Sequence, residues 1–358
     1  MNINLKALEG IRGLAALYVL IHHSRTALTQ SYNLGLKLYP EQYEWYDKLM
    51  VYFFSLFKFG HEAVIVFFVL SGFVIHLKQT KPSYYYPNFN WKNYFKKRLI
   101  RIYPPFLVSM ILCVLCDYVL TLIDSVEFAG IFDKYTINSL INNLLLIPGT
   151  EPWGYNYPSW SLKHEWVFYI LYPFVLYLNH NNFKITILII LGLYISYLLG
   201  YSIPFFGEVA YTFVVWNIGV LIAIFYNKKY FKYFPLLIIT SVIYIPIYSR
   251  VDEYAIKDVL FGLVIAGIFS FILVTKNKLI LNSLNKLTWL GAFSYSIYIL
   301  HYPLLNLYQS LFYYINHTNK LPYHLWHVVI FTLISLPLIY FIYYFTERFA
   351  INYKKTLS

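Results

Sequence analysis

The residues of this sequence best suited to chemistry lie inside apolar segments, and the first two are Arg12 and His23. They are eleven positions apart, which in an α-helix brings both side chains to one face, about 16 Å apart along the axis. A histidine can remove a proton from a hydroxyl near neutral pH. Arg12 alone is typical of a basic anchor at a helix end, and His23 of an interfacial histidine. An ionisable pair on one face of an apolar helix favours a function instead.

A second basic pair, Arg98 and Arg101, lies in the segment Asn93–Pro105. The spacing of three places both guanidinium groups on one helix face, where they could grip a phosphate. The alternative is an ordinary basic stretch attracted to anionic lipid, and the spacing does not separate the two. Pro104 and Pro105 are expected to open the next helix, where a missing N–H costs little.

An acid stands near the start of another apolar segment. Ser161 and Glu165 share a helix face there, and Trp160 precedes them. The helix dipole favours an acid in the first turn, which would explain Glu165 without a function. Because a long apolar run follows it, Glu165 is also placed to orient or polarise a histidine from another helix.

The last polar face combines Ser294, Tyr298 and His301 at helical spacings. Pro303 cannot donate a hydrogen bond to the carbonyl of Ile299, so we expect that carbonyl to be freed and the helix to kink there. A histidine that packs beside a kink and a histidine with a function both fit this pattern.

Only a membrane suits the chain that carries these residues. Of its 358 residues 59% are hydrophobic and 12% are charged, roughly half the charged share of a soluble domain. Lipid forces backbone hydrogen bonds to be made internally, and the apolar runs do not alternate as barrel strands do. The sequence therefore predicts an all-α membrane protein, a bundle of about ten transmembrane helices at 11–28, 59–77, 103–124, 161–179, 183–200, 209–226, 233–249, 256–274, 288–313 and 323–346.

Residues 1–358 are predicted to form a single transmembrane domain without a separate soluble domain, because the stretches between helices are short. Met1–Leu28 is expected to stay as the first helix, since basic residues stand where a signal peptide needs small ones. The apolar segment 137–148 is too short to span and is expected to be re-entrant or interfacial. Ser71 and Gly72 are interpreted as small residues that let two helices approach closely, and the role of His61 stays open.

Charge indicates the orientation of the bundle. The net charge is +12, and lysine and arginine concentrate in the segments on the side that both termini share. This predicts both termini in the cytoplasm, and it accounts for the basic balance without nucleic acid as a partner. Cys113 and Cys116 are expected to pack as small apolar residues. The sequence has no recognisable set of metal ligands, so no metal is predicted.

Taken together, these segments resemble the acyltransferase 3 family of integral membrane acyltransferases. The resemblance covers almost the whole chain, and its pieces occur in the family's order. They are Glu9-Gly10-Ile11-Arg12 with the Arg12-x10-His23 pair, Phe67–Phe73, Arg98-x2-Arg101 before Ile102-Tyr103-Pro104, Trp160-Ser161-Leu162-x2-Glu165 and Ser294–Tyr298 with His301 and Pro303. Members often have a glycine and an acid where this chain has Ala63 and Ile65. The role of that acid would then fall to His61 or Glu62, or be absent.

The resemblance implies transfer of an acyl group, often acetyl, from cytoplasmic acyl-coenzyme A to a hydroxyl of a cell-surface glycan, at the bacterial inner membrane. It implies that arginines hold the phosphates of coenzyme A, that His23 acts as a base or carries the acyl group, and that Glu165 orients the imidazole. The acceptor, a surface glycan or a lipid-linked saccharide, would be bound by further polar residues. The donor-site residues implied are Arg12, Arg98 and Arg101, and the acceptor-site residues are Trp160, Ser161, Tyr298 and His301.

Two other classes of protein fit parts of the same pattern. Polar residues within broken helices also suit a transporter or flippase of glycan or lipid intermediates, although the sequence has no matching pair of interrupted helices in its two halves. A scaffold of a glycan-assembly complex would need no chemistry at Arg12 or His23. Capsule, O-antigen, peptidoglycan, an exopolysaccharide and a small secreted metabolite all remain open as acceptors.

Overall fold

The computed structural model describes residues 3–30, 32–79, 89–201, 207–318 and 320–349. Within these ranges the chain is helical and has no strand, which confirms the predicted all-α fold. The α-helices in chain order are α1 (Ile3–Ala27), α2 (Tyr32–Leu38), α3 (Trp45–Ser55), α4 (Gly60–Leu77), α5 (Trp91–Ile123), α6 (Ile137–Leu144), α7 (Ser159–Leu198), α8 (Val209–Phe225), α9 (Ser241–Tyr248), α10 (Tyr254–Val274), α11 (Lys278–Asn285), α12 (Thr288–Ala292), α13 (Ser294–Ile315) and α14 (Trp326–Phe345). A 3₁₀ helix, Lys229–Thr240, leads directly into α9.

The chain is a membrane protein. Five stretches in the described ranges are long and apolar enough to span a bilayer: Trp45–Leu77, Trp91–Ile123, Lys229–Tyr248, Tyr254–Val274 and Trp326–Phe349. The count of ten spans and the cytoplasmic location of both termini stay predictions. Part of the basic segment used for that orientation, residues 80–88, and the terminal residues 1–2 and 350–358 lie outside the described residues.

Helix α5 differs most from expectation. It begins at Trp91, where the side chain of Asn90 accepts a hydrogen bond from the amide of Asn93 at 2.9 Å. Pro104 and Pro105 lie inside this helix, so the prediction that they open it is wrong. The reason is that the N-terminal cap starts the helix a dozen residues earlier, and the bundle tolerates the hydrogen bonds that the two prolines cannot make. The basic pair consequently lies within the first three turns of a single long helix.

Other boundaries follow the sequence more closely. The predicted break between 161–179 and 183–200 occurs at Asn182, whose φ of −161° and ψ of 101° interrupt α7. The predicted helix 288–313 is divided at Phe293 into α12 and α13. The short segment 137–148 contains α6, and the region after α1 holds α2 and α3, which the sequence analysis did not predict.

The site depends on how tightly α1, α4 and α8 are packed. Helix α1 contacts α4 and all of α10 to α14, so it lies among the other helices rather than at the edge. Helix α4 crosses α8 so closely that a Cβ atom on Gly72 would overlap the carbonyl oxygen of Trp216. The interpretation of Gly72 as a close-contact residue is therefore confirmed. The same approach fixes the direction of its neighbour, Ser71.

Candidate active site

One cavity, with a volume of about 120 Å³, collects side chains from α1, α4, α5, α7 and α13. Three arginines and a lysine contribute positive charge to its wall, and one glutamate contributes negative charge. The charged residues of the wall are Arg12, Lys78, Arg98, Arg101 and Glu165, and its other polar residues include Ser71, Ser161, Tyr169, Ser294, Tyr295 and Tyr298. The structure thus brings the two predicted basic pieces, 86 positions apart at Arg12 and Arg98, to a single site.

The arginines are held by groups that leave their positive charge unneutralised. The Arg98 guanidinium lies over the rings of Tyr94 and Tyr169, at 5.2 and 5.1 Å from their centroids. Arg12 donates a hydrogen bond from Nη2 to the carbonyl of Gly291 at 2.5 Å. The Nε atoms of Arg12 and Arg98 are buried without a hydrogen-bond partner in the described part of the chain. Buried orphan donors of this kind indicate an anionic ligand.

Carboxylates compensate this charge only from a distance. In the described ranges, no carboxylate oxygen lies within 4.0 Å of a nitrogen of Arg12, Arg98 or Arg101. Glu347, a buried acid just after α14, interacts electrostatically with Arg101 and Arg12. It accepts hydrogen bonds from the Ser296 hydroxyl at 2.8 Å and from the Ser296 amide at 3.3 Å. The cavity therefore keeps an excess of positive charge.

Lys78, just beyond the end of α4, adds a further positive charge to the cavity. Partial desolvation, and then repulsion from Arg98 and Arg101, lower the pKa of its ammonium group from 10.5 to about 8. A negatively charged ligand would oppose this effect by favouring the protonated lysine. The part of the cavity near Lys78 is consequently positively charged and attracts anions.

Glu165 has different partners from those expected. Its Oε1 atom accepts hydrogen bonds from Ser71 Oγ at 2.6 Å and from Tyr169 OH at 2.5 Å. It makes no hydrogen bond with His23, so the expected orientation of that imidazole by Glu165 is not what the structure has. The sequence could not reveal this, because the two lie on different helices and their relative depth depends on packing. Oε2 receives no hydrogen bond from the described residues, and the Glu165 side chain lines the cavity.

Two hydroxyls close the cavity beyond Glu165. Tyr298 OH donates to the carbonyl of Pro158 at 2.9 Å and lies 2.7 Å from Ser161 Oγ. Ser161 Oγ also lies 3.4 Å from that carbonyl, so either hydroxyl can be the donor of the bond between them. The ring of Phe67 packs against that of Tyr298 at 5.6 Å between centroids. Predicted acceptor-site residues Ser161 and Tyr298 thus share one wall with the arginines.

The two predicted histidines meet outside this wall. His23 Nδ1 lies 2.9 Å from His301 Nε2, and His301 is completely buried while His23 is half-buried. Neither side chain is part of the cavity lining. Trp160 is also outside the lining, with its ring parallel to that of His61 at 5.8 Å between centroids. His301 follows Tyr298 by one helical turn on α13, so this helix connects the cavity to the histidine pair.

A comparison with known families agrees with this assembly. The chain matches, over residues 5–344, the sequence profile of a family described as an acyltransferase domain. The chain belongs to the acyltransferase 3 family. Neither the curated proteins nor the solved structures provide a match. The matched region includes every residue that lines the cavity of this member of the acyltransferase 3 family, whereas Glu347 lies just beyond it.

Several residues of this candidate site were missed in the sequence. Ser71 was interpreted as structural, yet it binds Glu165 and accepts from Trp216 Nε1 at 3.3 Å. Tyr169 follows Glu165 by four positions and Lys78 follows Ser71 by seven, helical spacings that could have revealed both. No local pattern could have revealed Glu347, because its relation to the arginines is formed only by packing.

The open question about the start of α4 is partly answered. His61 Nε2 lies 2.8 Å from a carboxylate oxygen of Asp258 on α10. Glu62 accepts a hydrogen bond from Tyr244 OH at 2.8 Å. Neither His61 nor Glu62 contributes to the cavity lining.

Proposed function

We propose that this acyltransferase is an O-acyltransferase that moves an acyl group, with acetyl favoured, from cytoplasmic acyl-coenzyme A to a hydroxyl of a cell-surface or exported polysaccharide. The inner membrane of a bacterium is its proposed location. The observation that carries the proposal is the gathering of four cations and buried unpaired guanidinium nitrogens around one cavity. Phosphate is the anion for which paired guanidinium groups are best suited, and coenzyme A is rich in phosphate.

The donor site is proposed to lie where the positive charges of the cavity gather. Arg98, Arg101 and Lys78 would hold phosphate there, and Arg12 would add a further contact. Glu165 is held by hydrogen bonds from Ser71 and Tyr169. An acyl thioester supplies an activated carbonyl carbon, and the cavity's own wall of serine and tyrosine hydroxyls would orient it.

His23 is proposed to receive the proton of the acceptor hydroxyl. In the overall reaction an oxygen–carbon bond forms at the acceptor, the carbon–sulfur bond of the thioester breaks, and the proton passes to the released thiol. His23 lies about 16 Å along α1 from Arg12. That separation supports a long, thin donor whose reacting end lies far from its phosphates. An alternative in which His23 first carries the acyl group uses the same residue.

The deciding experiment measures acyl transfer by the purified protein in lipid nanodiscs, with radiolabelled acetyl-coenzyme A and membranes or isolated surface glycan as acceptor. We expect label in the glycan and stoichiometric release of thiol. His23→Gln should lose both at unchanged abundance. The exposed His317→Asn is a suitable control, because asparagine tolerates the left-handed backbone at that position, φ 48°.

The two rivals give different results in that assay. A flippase or transporter would move its substrate without coenzyme A, and His23→Gln protein would not differ in thiol release because there would be none. A scaffold would leave the surface glycan unchanged when Arg12 and His23 are both replaced. Mass spectrometry of glycans from cells with and without the protein would identify the acceptor and the modified hydroxyl.

A further inference from the structure

The contact between His23 and His301 has the geometry of a directed hydrogen bond. The two ring planes differ by 8°, the ring centroids are 5.1 Å apart, and the nearest nitrogens are 2.9 Å apart. The centroid separation exceeds the nitrogen separation by about one ring radius on each side. The rings therefore lie edge to edge in nearly one plane, and not face to face. Such an arrangement lets one nitrogen donate straight to the other.

The other nitrogen of His301 decides which ring is the donor. His301 Nδ1 lies 2.9 Å from the carbonyl oxygen of Ile297, and a carbonyl oxygen can only accept a hydrogen bond. Nδ1 of His301 must therefore carry a proton. A second proton on Nε2 would create a charge on a completely buried ring that has no carboxylate partner among the described residues. His301 is consequently neutral, and its Nε2 has a lone pair.

The assignment passes from one ring to the next. Since His301 Nε2 can only accept, His23 Nδ1 must donate the proton of their shared hydrogen bond. A neutral imidazole has one proton, so Nε2 of His23 has none. His23 also keeps part of its surface exposed, whereas His301 keeps none. The accessible ring is thus the one with a nitrogen lone pair that is not used in the network.

We propose that His301 is a positioning residue that holds His23 in its Nδ1-protonated tautomer and thereby presents Nε2 as the reactive nitrogen. The assignment of His23 as the reacting histidine rests on the proposed function, but the tautomer does not. This role differs from the acceptor binding that the sequence suggested for His301, because a ring with no exposed surface does not touch a substrate. It also replaces the orienting role that was expected of Glu165.

The arrangement accounts for how the site works without a carboxylate. When Nε2 of His23 takes the proton of a hydroxyl, Nδ1 keeps its bond to His301 Nε2, and the positive charge is stabilised by a chain that ends on the Ile297 carbonyl. The other titratable groups that face His23 are His22, whose Nδ1 is bonded to the carbonyl of Phe57, and Tyr302. Neither offers a negative charge that could replace the chain.

The first test measures the tautomer directly. Nitrogen-15 NMR of histidine-labelled protein in nanodiscs distinguishes protonated from bare ring nitrogens, and the His23 signals are identified by their loss in His23→Gln. We expect a protonated Nδ1 and a bare Nε2 in the wild type, and an altered tautomer ratio in His301→Leu. A wild-type His23 with its proton on Nε2 would overturn the proposal. This result does not depend on acyl transfer, so it is separate from any failure of the proposed function.

The second test compares two replacements kinetically. His301→Leu removes the acceptor for Nδ1, whereas in His301→Gln the amide oxygen can accept the same hydrogen bond. We expect His301→Leu to lower kcat by about 10²- to 10⁴-fold, the range for loss of a correctly held histidine base, with both KM values changed less than about twofold. His301→Gln should recover at least tenfold of that loss.

Two kinetic results would contradict the positioning role. Equal kcat values for the two variants would mean that the acceptor atom is irrelevant. A rise confined to KM for the acceptor would return His301 to substrate binding. If His301→Leu does not reach the membrane in folded form, the wild-type tautomer and the His301→Gln kinetics still decide, because glutamine keeps a polar side chain of similar reach.

Discussion

Replacement of Arg98 by lysine tests the donor site most sharply, because it keeps the charge and changes only the shape of the cation. The guanidinium lies over two aromatic rings, with centroids at 5.2 and 5.1 Å, and its Nε is buried without a hydrogen-bond partner among the described residues. Lysine offers a compact ammonium that can neither cover both rings nor bind a phosphate with two parallel hydrogen bonds.

The expected magnitude follows from the contacts that are lost. One charge-assisted hydrogen bond contributes about 1.5–3 kcal/mol, and the ring contacts add about 0.5–1 kcal/mol where they remain accessible to water. Since about 1.4 kcal/mol corresponds to a tenfold change, Arg98→Lys should weaken coenzyme A binding by roughly 30- to 700-fold. Arg98→Ala removes the charge as well and should weaken it at least tenfold further.

The assay is calorimetry or competition binding in nanodiscs with two ligands, coenzyme A and pantetheine, which lacks every phosphate. Arg98 variants should lose affinity for coenzyme A and keep their affinity for pantetheine within about twofold. Arg98→Ala should also make the affinity for coenzyme A less dependent on salt concentration. Lys96→Ala is the matched control, since this exposed lysine lies two positions away on α5 and outside the cavity. Equal losses for both ligands, or wild-type binding by Arg98→Lys, would refute the phosphate-site reasoning.

Three further perturbations address the rest of the site and its scaffold. Glu165→Gln keeps an oxygen for its two hydroxyl donors but removes a negative charge from a cationic cavity, so in steady-state kinetics KM for the anionic donor should not rise; a raised KM for the donor would contradict this. Gly72→Leu should lower the melting temperature through an overpacking cost of about 1–3 kcal/mol, whereas Gly192→Leu, with no neighbour within 4 Å, should not. Asn156→Leu should cost about 1–3 kcal/mol in thermal melting by stranding the carbonyl that Pro303 frees, and Pro303→Ala in the same chain should recover most of it by restoring a donor; additive effects of the two changes would count against the shared bond.

Features that depend only on neighbouring residues, such as helix breaks and the effect of a proline, could be predicted from the sequence. Pro303 had to free the Ile299 carbonyl, and the structure supplies Asn156 Nδ2 as its donor at 3.0 Å. The break near residue 182 followed from a gap in apolar character, and it appears as the extended backbone of Asn182. The start of α5 was missed because Asn90 and the two prolines are both typical of the start of a helix. The sequence does not show which of these two starts the chain adopts.

Contacts between helices were harder to predict, because they depend on the depth at which each helix sits. Glu165 was matched with a histidine because both stood in apolar segments, yet packing brought it to Ser71 and the histidine to His301. The tight crossing of α4 and α8 at Gly72 sets the depth of Ser71 in the bundle, and this depth determines which acid Ser71 contacts. Side-chain spacing along one helix contains no information on the depth of that helix relative to its neighbours.

Helix α13 connects the cavity to the histidine pair, because it carries a residue of each. Tyr298 closes the cavity through Ser161 and the Pro158 carbonyl, while His301, one turn further on, fixes the ring of His23. Both residues thus depend on the same turn of helix, whose Ile297 carbonyl accepts from His301. A displacement of this turn would change the end of the donor cavity and the direction of the His23 lone pair together. We therefore expect binding in the cavity and the orientation of the proposed base to be coupled through this turn of α13, without a direct contact between the arginines and the histidines.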